Sequence, residues 1–373
     1  MRVAYLCADP GIAYGGTKGA STHMHEVVRA LAAQGANVLL TVAHSADSPP
    51  PPPDGVTVEA LPGPGKRSSV TERLDAEDMR ARWLERRLGA WGAHILYERL
   101  ALHAGAGGTA ARAMGIPHVV ELNAPLVHEA ATYRQLEEPE AARRLEMATL
   151  SGASLVLAVS APLVSHARRC GARKVVLMPN AVRLERFPFL APAEGPTTAV
   201  FAGTLRPWHG VDTIASAWER LGEHAPRLVV VGDGPGRARL ETVGAEVTGA
   251  LPPEAVPDRL ASAHIGLAPY APNSPSYFSP LKLFEYLAAG LAVVAADLPG
   301  VSDIVDSETA MLIPPGDGVA LAEAVQALAA DPARRAALGR AGRARVAAEH
   351  TWERRARDIL AHFEELSAGA ACR

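Results

Sequence analysis

The chain has 373 residues, 48 % of them hydrophobic and 21 % charged, with a formal net charge of −3. That length calls for two domains, each with a sizeable core, and the near-neutral charge gives no pull towards nucleic acid or an anionic membrane. Cys7, Cys170 and Cys372 are odd in number, far apart and without metal-ligand spacing, which points to ordinary thiols in a reducing, cytoplasmic setting. Residues 1–6 run straight into a strand and no apolar run approaches ~20 residues, so neither a signal peptide nor an integral membrane segment is expected.

Residues 3–8 read as a first strand, apolar throughout as in a parallel sheet covered on both faces. A glycine-rich loop follows over 9–21, with Gly15, Gly16, Lys18 and Gly19, and leads into a helix whose apolar face is Met24, Val27, Val28 and Leu31. Such a loop lets a ligand approach the backbone, although the Gly-x-Gly-x-x-Gly spacing is absent. The five prolines 49–53 predict an extended surface spacer between strands 38–42 and 56–61. From Val70 to Arg87 the chain reads as helix, with Met79, Trp83, Leu84 and Leu88 buried. Its interleaved acidic residues favour a solvated face over a membrane-surface helix. Strands follow at 94–97 and 118–122, the latter delivering Asn123, Ala124 and Pro125 at its C-terminal end, where open α/β sheets hold ligands. Residues 129–150 read as one long charged helix. Next come a strand at 155–159, Ser160 as a helix cap, and a strand at 175–178.

Residues 183–198 are proline-rich and irregular and mark the linker. The pattern then restarts: strand 199–202, loop 203–210, helix 211–221, and strand 227–231 ending in the turn 232–236. A short strand at 247–249, a helix at 256–262 and a strand at 265–269 lead into residues 276–300, on which the reading turns. There Ser279 is the expected N-cap and Pro280 the first helical residue, with Leu281, Phe284, Leu287 and Ala288 as a buried face. Lys282 and Glu285 lie three apart on one side, Gly290 ends the helix, and Val293 and Val294 form a strand. Helix N–H groups with a first-turn lysine would meet phosphate, and the glutamate would accept from ribose hydroxyls. The plainer reading, a core helix with one exposed ion pair, fits the same pattern. Two Ala-rich helices at 318–331 and 333–348 and an amphipathic helix at 351–366, with Trp352, Ile359, Leu360 and Phe363 on one face, close the chain. Two α/β halves with parallel sheets follow from the alternation, with a ligand in the cleft between them.

Taken together, these residues resemble a retaining glycosyltransferase of family 4 with the GT-B fold, two Rossmann-like domains with parallel sheets. The resemblance covers nearly the whole chain and rests on 16–21, Tyr97-Glu98-Arg99, Glu121 to Pro125, Pro179 to Val182, Gly203 to Gly210, Ser279 to Tyr286 and Pro314 to Asp317. It implies an acceptor domain at 1–182, a nucleotide-sugar domain at 183–350 and a last helix, 351–373, crossing back to the first domain. It implies transfer from a nucleotide-diphosphate sugar, UDP foremost, to a small-molecule or glycan hydroxyl, with neither metal nor cofactor. Glu285 takes the place of the family's ribose-binding second glutamate, while Tyr277 stands where the first would be. Arg206 and Lys282 become the cations on the diphosphate, since His209 replaces the usual second lysine. Gly16, Gly203, Thr204, His209, Thr248, Gly249, Ser279, Pro280 and Leu281 complete the donor site. Asn123 stands in place of a frequent histidine; an amide cannot shuttle a proton, which suits a front-face reaction in which the leaving phosphate takes it. Lys18, Arg99 and Glu129 are acceptor-side candidates or structural ion pairs. Alternatives are a two-domain binding protein that closes on a solute without chemistry, or another GT-B enzyme such as a nucleotide-sugar epimerase. Nucleic acid is not an expected partner, and peripheral membrane contact stays open.

Overall fold

The computed structural model describes residues 1–65, 67–189, 195–275 and 277–371; Ser276, Cys372 and residues 190–194 of the expected linker lie outside them. The chain divides into two compact units, Met1–Pro179 with Trp352–Arg373, and Asn180–Thr351. The divide thus falls at Pro179 and Asn180, just before the boundary expected after Val182.

In unit 1 the described residues form a parallel sheet of β1 (Arg2–Cys7), β2 (Asn37–Val42), β3 (Val56–Ala60), β4 (Ile95–Arg99), β5 (His118–Leu122), β6 (Leu155–Ala158) and β7 (Val175–Leu177). Its order is β3-β2-β1-β4-β5-β6-β7. The order reverses between β1 and β4, which opens a crevice at their carboxyl ends. Every residue of β4 and β5 is buried, including Glu98, Arg99 and Glu121, because both faces are covered. The last helix, Trp352–Ala371, packs within this unit: Trp352 meets His23 edge to face with ring centroids 5.1 Å apart, and the Phe363 ring centroid lies 5.4 Å from that of Tyr97.

Two helical expectations in unit 1 need correction. The segment after Val70 is two helices, Val70–Asp75 and Glu77–Trp91, and Met79 is 41 % exposed while Leu84 and Leu88 are buried. The long helix of 129–150 is likewise two, Leu126–Tyr133 and Pro139–Gly152. Pro139 has no N–H to continue a helix but fits a first turn, and Glu138 before it turns through a left-handed φ of 46°.

Unit 2 is a parallel sheet of β8 (Thr198–Ala202), β9 (Arg227–Val231), β10 (Glu246–Gly249), β11 (Ile265–Ala268), β12 (Ala292–Ala296) and β13 (Ala310–Ile313), in the order β10-β9-β8-β11-β12-β13. The period of two is plain in β8. Val200 and Ala202 join a core with Phe284, Tyr286 and Leu287, while Ala199 and Phe201 join one with Ile214, Trp218 and Val325. Each large side chain so buried contributes about 1.5–3 kcal/mol. The order reverses between β8 and β11, a second crevice at carboxyl ends.

Candidate functional site

In unit 2 the chain after β11 returns as the helix Leu281–Ala289, which Gly290 ends in a left-handed turn. Phe284, Leu287 and Ala288 are buried as expected, Leu281 only partly, and Leu283 and Tyr286 are buried with them. The Tyr286 hydroxyl accepts the Ala202 N–H at 2.6 Å, fixing the helix to the end of β8. Ser279 does not cap the helix. Its hydroxyl accepts the Asn180 N–H at 3.1 Å and its carbonyl accepts Asn180 Nδ2 at 2.6 Å, leaving Pro280 at the cap.

This anchoring sets Lys282 at the crevice. Its ammonium is out of solvent contact, and among the described residues it has no hydrogen-bond partner. It lies 3.9 Å from the Phe201 ring centroid and 5.5 Å from that of Tyr270. Aromatic faces attract a cation but leave its three N–H donors unused. Gly203, at a φ of +137°, makes the room: a Cβ there would come within 3.0 Å of Nζ. Burial pushes the lysine pKa from 10.5 down to about 7, against the opposing pull of Glu285. Burial raises the pKa of Glu285 in turn, while Arg186 and Lys282 pull it down. No hydrogen bond to a described residue holds that carboxylate.

Around this pair lie the other donor candidates. His209 Nδ1 is 2.6 Å from the Thr204 carbonyl and so carries the proton it donates there. Burial, with the Lys282 and Arg206 charges, lowers the histidine's pKa to about 4. His209 is therefore neutral at pH 7 and does not replace the missing second cation. Arg206 is exposed, its guanidinium 5.7 Å over the Trp208 ring. Thr248 donates to the Gly249 carbonyl at 2.9 Å beside the end of β9. A cavity of about 390 Å³ bordered by His264, Leu291 and Arg335 opens at the opposite ends of β11 and β12 and contains none of these residues.

In unit 1 the crevice is organised by one carboxylate that the sequence reading did not single out. Glu121 Oε1 is 2.7 Å from the Arg99 guanidinium, 2.9 Å from His23 Nε2 and 2.5 Å from Asn123 Nδ2. Its Oε2 accepts the Tyr97 hydroxyl at 2.7 Å and that of Tyr5 at 3.4 Å. Burial would raise its pKa, but the His23 and Arg99 contacts hold it well below the carboxylate range. Arg99 is thus a buried ion-pair partner rather than an open acceptor contact. Asn123 must turn its amide nitrogen to the carboxylate, which only accepts; its Oδ1 makes no hydrogen bond to a described residue. Lys18 is exposed at the N-cap of the helix Gly19–Ala33, its carbonyl accepting from Ser21 and Thr22. Gly16 packs on Ser21, whose Oγ a Cβ would meet at 2.7 Å. Glu129 accepts from Arg134 at 2.7 Å. The prolines lie on the surface as expected, Pro49 to Pro52 exposed, and Pro49 and Pro50 pack on Gly15. No helix among the described residues is long and apolar enough to cross a membrane.

Two parallel-sheet, Rossmann-like units on one chain, each with a crevice at its switch point, define the GT-B class of fold. A glycosyl transferase 4-like domain model matches residues 18–181 and a glycosyl transferases group 1 model matches residues 196–331. The chain belongs to the glycosyltransferases, with both domain types present. It is 32 % identical over 187 residues to TuaC of Bacillus subtilis, a protein named for teichuronic acid biosynthesis. That match takes in 47 % of each chain, so the present chain spans about half the length of that relative. Its fold is similar to sucrose-phosphate synthase from Thermosynechococcus elongatus, with a TM-score of 0.78, 20 % identity and coverage of 99 % and 100 % of the two chains. It is also similar to HepE from Anabaena, solved with UDP and glucose, with a TM-score of 0.74, 16 % identity and coverage of 98 % and 100 %.

Proposed function

We propose that the chain transfers a sugar from a nucleoside diphosphate sugar, UDP foremost, to a hydroxyl of a small-molecule or glycan acceptor, with retention of configuration and without a metal at the reacting centre. The observation that carries the reading is the Lys282 ammonium, buried at the start of a nine-residue helix with no hydrogen bond to any described residue. A buried cation is stable only with compensation, and a diphosphate supplies it. Lys282, the helix N-terminus and Arg206 would stabilise the negative charge that grows on the leaving diphosphate, and Glu285 would take the ribose hydroxyls. The bond from the anomeric carbon to phosphate breaks with its electron pair going to the diphosphate. The bond to the acceptor oxygen forms on the same face, and the acceptor proton passes to the phosphate oxygen. In unit 1, Asn123 Oδ1 would accept from a sugar or acceptor hydroxyl; unchanged turnover and donor affinity in Asn123→Ala would remove that role.

Thermal shift against UDP, GDP, ADP and TDP and their sugar conjugates, with and without EDTA, tests the reading. Stabilisation by one diphosphate, equal with EDTA and lost in Glu285→Ala, is the expected result. No response to any nucleotide would sink it and turn attention to free sugars and anions.

A further inference from the structure

Unit 1 holds a second cluster that glycosyl transfer does not use. Glu146 lies on the helix Pro139–Gly152, and His166 lies on the helix Ala161–Arg169, with Cys170 at its end. Glu146 Oε1, His166 Nε2 and Cys170 Sγ all lie within 4.8 Å of one another. The oxygen is 2.6 Å and the sulfur 3.6 Å from the same ring nitrogen. A cysteine–histidine–carboxylate relay would place the acid on one ring nitrogen and the thiol on the other. Here both meet Nε2, which carries at most one proton and cannot serve both. Carboxylate, imidazole and thiolate converging on one point form the donor set of a tetrahedral zinc site with its fourth position open to water. For bonds of about 2.0 Å to nitrogen or oxygen and 2.3 Å to sulfur, neighbouring ligand atoms sit roughly 3.3–3.6 Å apart. The sulfur–nitrogen separation already fits; the oxygen must withdraw from the nitrogen by less than ~1 Å and settle at that same range from the sulfur, which lies within 4.8 Å of it.

The remaining oxygen of Glu146 supports the same view. It accepts the Val127 N–H at 3.0 Å, the kind of outer hydrogen bond that orients a metal-ligating carboxylate. Glu146 is itself buried, so its carboxylate is held by the fold.

We propose that Glu146, His166 and Cys170 bind one zinc-class divalent cation. The thiol gives its proton to solvent as the sulfur binds. The ion ties together two helices and, through Val127, steadies the first turn of the helix Leu126–Tyr133, which begins just after Asn123. This does not depend on the glycosyl-transfer reading. Cys7 does not compete, since it is buried and its thiol is pushed up to about 12, chiefly by burial.

The test uses the full chain carrying Cys372→Ser, stripped of metal and titrated with Co²⁺ and then Zn²⁺. One Co²⁺ per chain with a sulfur-to-metal charge-transfer band, displaced by Zn²⁺ and abolished by Cys170→Ser or His166→Ala, is expected. Amide exchange at Val127 should slow with Zn²⁺ in the parent and not in Cys170→Ser, and the metal-free melting of each variant checks that it is folded. Absence of the band in the folded parent, or a band that survives Cys170→Ser, would overturn the proposal and leave a hydrogen-bonded cluster only. Stripping the ion changes the starting melting temperature, whereas the increment given by a nucleotide is read separately.

Discussion

The two units treat a buried charge in opposite ways. Glu121 in unit 1 is surrounded by Arg99, His23, Asn123 and two tyrosines, and every oxygen is engaged. Lys282 in unit 2 faces two aromatic rings and makes no hydrogen bond to a described residue. Both side chains lie near carboxyl ends of strands at a switch point. The first arrangement is complete without a ligand and therefore structural; the second is complete only with one. Burial and strand-end position alone do not mark a binding residue, but a charge left uncompensated does.

Four substitutions or titrations would sharpen or break this contrast. The largest effect should come from Glu121→Ala, which leaves Arg99 buried without its partner. A loss of about 3–5 kcal/mol is expected in denaturant unfolding, and a loss under ~1 kcal/mol would show the hub to be dispensable. Lys282→Met should act in the opposite sense, lowering kcat/KM by about 100-fold or more while stability holds or rises. The sign follows from the depressed pKa. The charged folded form is penalised below about pH 7, and the penalty fades as pH climbs from 7 towards 10.5, where the unfolded lysine also loses its proton. The gain in Tm of Lys282→Met should accordingly be greatest below pH 7; a variant that melts lower there would contradict the account.

Smaller effects concern the ligand. Affinity for a nucleotide sugar should be flat below about pH 7 and fall above it, by up to ~10-fold per pH unit, as Lys282 loses its proton. Calorimetry across pH 6–9 on the parent and on Lys282→Arg separates this from any change in the nucleotide, because the arginine variant should show no such fall. Glu285→Gln should cost least, about 1 kcal/mol or roughly fivefold in nucleotide affinity, since the amide retains one acceptor for the ribose. An unchanged Kd would place the ribose elsewhere.

Strand and helix alternation made the fold class legible in the sequence, because strands buried on both faces read as apolar runs and glycines punctuate them. Lys282 and Glu285 stood out for the same local reason, three apart on one side of a helix, the lysine in its first turn and the glutamate one turn on. What escaped was long-range. Ser279 has the chemistry of a cap, yet its partner is Asn180, 99 residues away. Glu121 draws its partners from β1, β4, the helix Gly19–Ala33 and its own strand end, and no local period announces that. Of the zinc-type cluster only the His166–Cys170 spacing is local; Glu146 arrives from the preceding helix. Pro139 was visible throughout and would have split the long helix had its missing N–H outweighed the charge pattern.

Unit 2 is one unbroken run of chain inserted between the two parts of unit 1. Unit 1 is therefore completed only by a segment far away in the sequence, whereas all the described strands of unit 2 lie within one contiguous stretch. Until Trp352 reaches His23 and Glu353 reaches Arg29, the first-made segment of the protein lacks its closing contacts.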